Sequence, residues 1–499
     1  MFDNLKHSSV WSIFDKIRQI PRPSFKEEKI RSFIYDWVKE HNFQIKEDKA
    51  HNLVLYIPAT KGYENAEIIA MQGHLDMVCE KHSEVDFNFE TDSIQLERNG
   101  DWIKAKGTTL GADNGIGVAL MMAAAIDPEI KHGPMEILLT ATEEKGLVGA
   151  RNLDPTLLKA KYMLNIDSEE WGEFCIGCAG GGDTVINLPI ETVKSNLDDL
   201  IYEVKISGLK GGHSGCDIHK QRGNALKILT RLLSIMKHAK LAIIHGGNLR
   251  NAIPRESKAT FMLAPFMKSS ELNLLNKTFK TIQHELQVTE PNLKISIEQL
   301  DEHPESYMRL SSQETLLNLL ESLPHGVVRM DDSMDNLVET SSNLASIRQS
   351  ENHVEIIKTT RSSVSSQLEA HRAKISSICH LAQAKFEHDE AYSGWQPNPS
   401  SELVEKALKI YEKTFGEKPV LSAIHAGLEC GIINDKYPNM QMISFGPDIR
   451  NAHSPDETLH LPSTEKCYDL LKNILVEIAN ETQKTDIKST NGELEAEMA

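Results

Sequence analysis

Short apolar runs alternate with helical apolar patterns along the first third of the chain. The runs at 52–57, 68–72, 137–142 and 162–166 have the length of buried strands, and an apolar stretch at 115–126 predicts a buried helix. Strands that alternate with helices in this way predict a largely parallel sheet with helices on both faces. Ligands of such sheets bind outside the carboxyl ends of the strands.

The segment before these strands predicts two helices within residues 8–43. Pro21 and Pro23 interrupt the helical pattern, because proline cannot continue a helix interior. Ser24 with Glu27 three residues later has the spacing of a capping box. We therefore predict that the second helix begins with a Ser24 cap.

The pattern changes after about residue 187. Between 202 and 297 the predicted elements follow the order β-α-β-β-α-β, which is the split βαβ motif. A second, looser cycle of helix, two strands and helix follows at 312–386. We predict an inserted α+β domain over 188–397, built from two ferredoxin-like halves.

The last part of the chain returns to the first pattern. A helix at 401–415 and a strand at 442–445 predict that residues 398–481 complete the domain begun by residues 1–187. Residues 482–499 are polar and aperiodic, and we predict that they form a disordered tail.

Charge and composition exclude several classes of function. Lys and Arg number 54 and Asp and Glu 72 among 499 residues, which gives a net charge of −18. Nucleic acids and anionic membranes need dense cationic surface, so we expect no binding to either. No apolar stretch approaches the roughly 20 residues of a membrane span. The N-terminus has no basic region followed by a long apolar core, so we expect no signal peptide and a cytoplasmic protein.

Five short segments place imidazole and carboxylate groups at the ends of predicted strands or helices. They are His74-Leu75-Asp76, Gly111-Ala112-Asp113-Asn114-Gly115, Glu143-Glu144, Asn165-Ile166-Asp167 and Asn451-Ala452-His453. Each segment alone is typical of a turn or a helix cap. The ordered set favours a site for Zn²⁺, Mn²⁺ or Co²⁺, in which two ions could share a bridging carboxylate.

The spacing inside two of these segments suits particular tasks. His74 and Asp76 lie two residues apart and therefore share a side of an extended chain, so the carboxylate can orient a metal-bound imidazole. Glu143 and Glu144 are adjacent and point in different directions. One of them can bind a metal while the other acts as a general base.

Seven motifs together resemble the di-zinc metallopeptidases related to carboxypeptidase and aminoacylase. They are GHLDMV, GTTLGADNGIGVA, ATEEKGLVGA, LNIDSEE, GLKGGHSG, AIHAGLECG and NAHSPDE. Within this family the chain is most similar to the aminoacyl-histidine dipeptidases, also called cytosol non-specific dipeptidases. The resemblance covers residues 10–480 or so. It implies a di-zinc exopeptidase-like α/β fold, a catalytic domain at 1–187 and 398–481, and a lid domain at 188–397.

The resemblance implies two divalent metal ions per chain, with Zn²⁺ expected and Co²⁺ or Mn²⁺ as alternatives. One ion is held by His74 and Asp167, the other by Glu144 and His453, and Asp113 bridges both. Glu143 is then the general base and Asp76 orients His74. The family also implies a cis peptide bond after the bridging Asp113.

Five further residues match positions that contact substrate in relatives. His213 matches a lid histidine that contacts the substrate or the oxyanion, from the same chain or from a partner. Asn251 and Arg361 match positions that bind the substrate's carboxylate, with a turn and a surface ion pair as the alternatives. His425 and Glu429 belong to a loop expected at the substrate's amino end, with a packed turn as the alternative.

The implied activity is hydrolysis of dipeptides with free amino and carboxyl ends, including Xaa-His dipeptides, by a hydroxide that bridges the two metals. A deacylase of N-acylated amino acids and an aminopeptidase share the same metal core and remain alternatives. A non-catalytic binder of small molecules is a third, although it would have no need of Glu143. The expected partner is a small peptide substrate, and a homodimer through the lid domain is left open.

Overall fold

The computed structural model describes the backbone of residue 2 and residues 4–497, and the side chains of residue 2 and residues 4–481. The chain forms two compact units. The first comprises Met1–Gly177, Pro397–Ala423 and Leu428–Ala499, and the second comprises Cys178–Gln396 and Ile424–Gly427.

The α-helices of the described chain are numbered in chain order. They are α1 Ser8–Ile17, α2 Glu28–Glu40, α3 Ala112–Ile126, α4 Val148–Arg151, α5 Ala225–Ile235, α6 Lys268–Glu285, α7 Leu310–Ser322, α8 Ser365–Leu381, α9 Glu402–Phe415, α10 Glu429–Lys436 and α11 Leu461–Glu497.

The strands are numbered in the same way. They are β1 Gln44–Glu47, β2 Leu53–Ile57, β3 Ile69–His74, β4 Leu96–Asn99, β5 Trp102–Ala105, β6 Met135–Thr140, β7 Tyr162–Asn165, β8 Glu173–Cys178, β9 Gly180–Pro189, β10 Thr192–Lys194, β11 Leu200–Ser207, β12 Gly212–His213, β13 Lys240–Gly246, β14 Ala252–Ile253, β15 Ser257–Leu263, β16 Lys294–Leu300, β17 Ser306–Met308, β18 Gly326–Met330, β19 Val338–Gln349, β20 His353–Ser362, β21 Lys385–His388, β22 Val420–Ile424, β23 Gln441–Ser444, β24 Ile449–Arg450 and β25 Thr458–His460.

The first unit is built on an eight-stranded sheet with the order β1-β2-β6-β3-β7-β23-β8-β22. The four central strands β6, β3, β7 and β23 are parallel to one another. The outer pairs β2–β6 and β23–β8 are antiparallel. Every residue of β3, β6 and β7 is buried, which explains why these strands appear in the sequence as continuous apolar runs. The predicted largely parallel sheet is confirmed.

The second unit contains a continuous sheet with the order β16-β11-β15-β13-β19-β20-β9-β21, and β18 pairs with β19. Its first half runs β11-α5-β13-β15-α6-β16 along the chain. Its second half runs β9-α7-β19-β20-α8-β21 and has the same strand order in the sheet. Both halves therefore have the ferredoxin-like arrangement, and their side chains share one buried core.

The predicted start of the inserted domain at 188 falls inside β9 and is too late. Strand β9 is the first strand of the second half, although it precedes the whole first half in the sequence. It opens with Gly180, Gly181 and Gly182, and glycine-rich sequence does not have the pattern of a strand. The segment 424–427, which the sequence analysis placed with residues 398–481, also belongs to the second unit.

The predicted Ser24 cap of the second helix is wrong. Helix α2 begins at Glu28, and its N-cap residue Glu27 makes no capping hydrogen bond. Ser24 Oγ instead donates to Asp76 Oδ2 at 2.7 Å. Glu27 Oε1 accepts from the backbone N of Thr142 at 2.9 Å and from its hydroxyl at 2.6 Å. Both candidate capping side chains are therefore bound by partners distant in sequence.

Helix α11 extends to Glu497 and thus through most of the segment 482–499. The side chains of that segment lie outside the described residues, so its disorder stays a prediction. No described helix has the length and the apolar content to cross a membrane.

Candidate metal centre

The five chemical segments lie at element ends of the first unit. His74 is the last residue of β3, Glu143 and Glu144 follow β6, and Asp167 follows β7. These three strands are parallel neighbours, so their carboxyl ends meet at one edge of the sheet. Asp113 lies in the first turn of α3, and His453 follows β24. The peptide bond between Asp113 and Asn114 is cis, as the resemblance implies.

Asp113 contacts both histidines with different oxygens. His74 Nε2 lies 2.9 Å from Asp113 Oδ1 and 3.5 Å from Asp167 Oδ1. His453 Nε2 lies 3.0 Å from Asp113 Oδ2 and 3.2 Å from Glu144 Oε2. The structure therefore groups these side chains into two sets, each with one histidine and one further carboxylate, and Asp113 belongs to both.

The spacing of these atoms fits divalent cations. Ligands at about 2.0–2.2 Å from a tetrahedral ion are about 3.3–3.6 Å from one another. The measured separations of 2.9, 3.0, 3.2 and 3.5 Å are close to this range, and the shorter ones are those of side chains in direct contact with each other. Glu144 Oε1 and Asp167 Oδ1 are buried and have no hydrogen-bond partner among the described residues. Buried, unpaired carboxylate oxygens are costly unless a cation binds them.

The pKa values of the centre also indicate that its clustered carboxylates favour a nearby positive charge. Burial raises the pKa of Asp167 well above its usual value, and the carboxylates of Asp113 and Glu143 raise it further, against the effect of His74. Hydrogen bonds to Asp113 and Glu144 raise the pKa of His453 to about 11. Against the effect of burial, Asp167, Asp113 and Asp76 likewise raise the pKa of His74. In the absence of a cation, both imidazoles therefore favour the protonated form. Cations would displace those protons and take over the neutralisation of the carboxylates.

Asp76 connects His74 with the Glu143-Glu144 turn. Its Oδ1 lies 3.2 Å from His74 Nδ1 and accepts from the backbone N of Glu143 at 2.9 Å. Its Oδ2 accepts from the backbone N of Glu144 at 3.2 Å and from Ser24. Burial opposes the charge on Asp76, but these contacts with His74, Ser24 and Glu143 outweigh it and lower its pKa. A carboxylate on the second ring nitrogen fixes the orientation of the imidazole.

Glu143 is set apart from the two histidine sets. Burial raises its pKa to about 8, and the carboxylates of Glu429, Glu144 and Asp113 add to this against the effect of His74. A glutamate whose pKa lies near neutrality can both accept and release a proton at physiological pH. Its backbone is fixed by Asp76.

A row of buried polar side chains lies next to the centre, and of its members the sequence analysis named only Asn165 and Glu429. Asn165 Nδ2 donates to Gln72 Oε1 at 2.6 Å, and Gln72 Nε2 donates to Glu429 Oε2 at 2.6 Å. Thr140 Oγ1 donates to the same oxygen at 2.7 Å. Burial raises the pKa of Glu429 to about 7, against the effect of His74 and the two donors. The signal in the sequence is the presence of polar residues within otherwise apolar strands.

The second unit holds a separate group of the predicted residues. His213 Nδ1 accepts from the backbone N of Gly215 at 3.2 Å and of Cys216 at 3.0 Å. Because Nδ1 accepts, the ring proton is on Nε2, which is then a donor. Burial and the charge of Arg361 lower the pKa of His213, so the ring is neutral at physiological pH.

Arg361 and His425 are buried close to this histidine. Arg361 Nη1 donates to Tyr392 Oη at 2.8 Å, and its Nε lies 3.4 Å from Ser214 Oγ. His425 Nε2 lies 2.7 Å from Ser341 Oγ, and burial, with Arg361, lowers its pKa to about 3. The predicted loop therefore divides, since His425 belongs to the second unit while Glu429 belongs to the first.

Asn251 is exposed, and its carbonyl accepts from the backbone N of Ser214 at 2.8 Å. The contact lies beside the short pairing of β12 with β14, in which His213 is opposite Ala252, the residue after Asn251. It involves the backbone of Asn251 alone, so the role of its side chain stays a prediction.

Comparison with known proteins identifies relatives over nearly the whole chain. Residues 70–477 match the profile of Peptidase family M20/M25/M40. The chain is 40% identical over 479 residues to the cytosol non-specific dipeptidase of Escherichia coli strain K12, across 95% of this chain and 98% of that protein. It is 38% identical in sequence to aminoacylhistidine dipeptidase from Vibrio alginolyticus. The crystal structure of that protein matches this one with a TM-score of 0.91, across 95% of this chain and 97% of that one.

A more distant match shows the fold alone. Aminopeptidase PepT from Bacillus cereus ATCC 10987 is 17% identical, with a TM-score of 0.56 across 95% of this chain and 99% of that one. The matches together confirm the resemblance and the fold class predicted from the motifs, and they place the protein among the hydrolases that act on peptide bonds. The chain belongs to Peptidase family M20/M25/M40.

Proposed function

We propose that this protein hydrolyses dipeptides with free amino and carboxyl ends, including Xaa-His dipeptides. The observation that carries the proposal is the shared carboxylate of Asp113, which contacts His74 with one oxygen and His453 with the other. The Escherichia coli and Vibrio alginolyticus relatives, whose names describe dipeptidases, support the choice of substrate. The general base proposed for the reaction is Glu143, whose pKa burial raises to about 8.

Two divalent cations, most simply Zn²⁺, are the proposed cofactors. His74 and Asp167 would hold one, Glu144 and His453 the other, and Asp113 both. When bound, such cations polarise the scissile carbonyl and lower the pKa of water toward neutrality. This fit is supported by the ligand spacing of 2.9–3.5 Å and by the buried unpaired oxygens of Glu144 and Asp167.

The chain's own groups then move the proton. Glu143 removes a proton from the attacking water, and after the tetrahedral intermediate forms it delivers that proton to the leaving amine. Asp76 contacts the backbone N of Glu143 and the ring of His74 at the same time, so it fixes the position of the base relative to His74. Asp76 is therefore the proposed orienting residue.

The second unit supplies the proposed substrate contacts. His213 is the proposed donor to the oxyanion, because its Nε2 carries the proton and its ring is neutral. Arg361 is the proposed partner of the substrate carboxylate, since a guanidinium donates two parallel hydrogen bonds. Asn251, His425 and Glu429 remain proposed substrate-binding residues. We propose that the first unit is the catalytic domain and the second the family's lid domain.

Location and assembly are further proposals. The name of the Escherichia coli relative describes a cytosolic enzyme, which supports a cytoplasmic location. The proposed partner is a small peptide. A homodimer through the lid domain stays a proposal, and with it the question of which chain's His213 serves a given site.

A substrate panel tests the proposal against its alternatives. The purified protein is given Xaa-His and other dipeptides, the matching tripeptides, and N-acetylated dipeptides. We expect turnover of free dipeptides alone, because both charged ends are bound. Cleavage of tripeptides would favour an aminopeptidase, cleavage of acylated substrates a deacylase, and binding without turnover a small-molecule binder; each of these would overturn the dipeptidase proposal.

Replacing His213 by alanine is expected to lower kcat by about 100-fold, as loss of one oxyanion donor does elsewhere. KM should change by less than about threefold, because the lost contact forms in the transition state. The variant His284→Ala is the control, since His284 is exposed on α6 of the same unit. Steady-state kinetics and thermal unfolding measure both. An unchanged kcat would make His213 a structural residue.

A further inference from the structure

Glu457 binds the loop that precedes the shared carboxylate. Its Oε2 accepts from the backbone N of Leu110 at 2.7 Å and of Gly111 at 2.9 Å. Its Oε1 accepts from the backbone N of Ala112 at 2.8 Å and of Asp113 at 3.2 Å. Only 2% of Glu457 is exposed. One buried carboxylate thus holds four consecutive backbone amides, the last of which belongs to Asp113.

Arg22 binds one carbonyl group of the same loop and two carbonyl groups of the segment that follows His74. Its Nη1 donates to the backbone O of Leu75 at 2.9 Å and of Asp76 at 2.5 Å, and its Nη2 donates to the backbone O of Gly111. Only 2% of Arg22 is exposed. Burial lowers its pKa, while the nearby charges of Asp76, Glu457 and Asp113 oppose that effect. A buried guanidinium is retained at a high desolvation cost, which these contacts must offset.

The two side chains connect the Asp113 loop with the two histidine segments. Arg22 joins Gly111 to the two residues that follow His74. Glu457 lies four residues after His453 and joins that segment to residues 110–113. There is little room for movement, because a Cβ on Gly111 would lie 2.7 Å from Arg22 Nη2 and 2.8 Å from Met77 Sδ.

We propose that Arg22 and Glu457 are positioning residues that set the geometry of the two cation sites through one loop, residues 110–113, to which both are hydrogen-bonded. A bridging carboxylate must place two oxygens at once, and a shift of about 0.5 Å is enough to weaken such a site. Arg22 fixes the distance between Asp113 and His74, and Glu457 fixes the distance between Asp113 and His453. The proposal rests on the proposed two-cation centre and not on the identity of the substrate.

The first test replaces Glu457 by glutamine in the full-length protein. The amide keeps the shape of the side chain, but its Nε2 is a donor and faces backbone donors, so two of the four hydrogen bonds are lost. We expect the dissociation constant of the more weakly bound Zn²⁺ ion to rise by about 10–100-fold. This is the range seen when a group that is hydrogen-bonded to a metal ligand is changed. Competition with a chromophoric chelator measures this constant without substrate.

Two further variants separate positioning from general stability. Glu136→Gln is the matched control, because Glu136 is also buried and also accepts from backbone amides, those of Lys159 and Ala160. Arg22→Lys keeps the charge but cannot reach all three carbonyls, and we expect it to weaken Zn²⁺ binding as Glu457→Gln does. In Glu457→Gln and Arg22→Lys, but not in the Glu136→Gln control, kcat should fall about tenfold or more with KM changed less than about threefold.

Because Zn²⁺ binding is measured without substrate, this design tests the positioning proposal independently of the proposed dipeptidase activity. Weakened Zn²⁺ binding in the two variants, with the Glu136→Gln control near wild type, supports the proposal even if no dipeptide is cleaved. Wild-type Zn²⁺ affinity in both variants would overturn it, as would an equal loss in Glu136→Gln. If either variant unfolds at a lower temperature, Zn²⁺ binding is measured below its unfolding transition, and wild-type affinity there also overturns the proposal.

Discussion

Replacing Glu143 by glutamine is expected to lower kcat by about 10³-fold, within the range of 10²–10⁴ for a lost general acid–base group. Glutamine is nearly isosteric but cannot take a proton from water or return it to the leaving amine. The Glu143 carboxylate belongs to neither of the two histidine sets, and its backbone N is held by Asp76 regardless of the side chain. The variant should therefore fold normally and bind both cations.

Kinetics together with metal analysis tests this expectation. The variant Glu40→Gln is the control, because Glu40 is an exposed residue at the end of α2. Steady-state kinetics on a dipeptide and elemental analysis of the dialysed protein should separate the effects, with activity lost and metal content unchanged. Full activity would remove Glu143 as the base, and loss of metal would make it a ligand instead.

Replacing Asp113 by alanine is expected to remove both cations and all measurable turnover. Its two oxygens contact the two histidines at 2.9 and 3.0 Å, so a single substitution damages both sets. The two histidines would also lose the hydrogen bonds that raise their pKa. With fewer negative ligands, the site also has a lower affinity for divalent ions. Both effects therefore predict loss of metal.

The comparison with His453→Ala makes this prediction specific. His453 belongs to one set and is about half exposed, so its loss should release one cation and leave the other. Asp36→Ala, an exposed change on α2, should release none. Elemental analysis at fixed free Zn²⁺ therefore orders the variants by metal content, with Asp113→Ala lowest. Equal loss in Asp113→Ala and His453→Ala would contradict a shared carboxylate.

The sequence was sufficient to locate the centre because its residues stand at element ends. His74 and Asp167 end or follow buried apolar strands, and Glu143 follows another, so strand prediction alone placed them at one sheet edge. The parallel register then brought them together. The segments of Asp113 and His453 were also recognised, but only the motif resemblance assigned these two residues to the cation sites.

Long-range hydrogen bonds explain what the sequence did not reveal. Glu457 binds amides more than 340 positions earlier in the chain, and Ser24 binds Asp76, which lies 52 positions later in the chain. Both residues have ordinary local explanations, as a turn residue and a helix cap. Arg22 stands between two prolines that were interpreted only as a helix break. Side chains with such distant partners have no periodic signal.

Strand β9 shows a different limit. Its pairing with β20 and β21 makes it the first strand of the second ferredoxin-like half. In the sequence, the whole first half lies between β9 and the other strands of the second half. The order along the chain therefore differs from the order in space. The duplication itself could be predicted from the helix and strand cycles, but this interleaving could not.

The central claim is that dipeptide hydrolysis depends on cations held by the Asp113 centre. The most direct measurement removes metal with a chelator, confirms the loss by elemental analysis, and follows hydrolysis of a Xaa-His dipeptide before and after addition of Zn²⁺, Mn²⁺ or Co²⁺. We expect no turnover without metal and restored turnover as the second equivalent binds. Undiminished turnover by the metal-free protein, or no turnover with any of the three ions, would contradict the account.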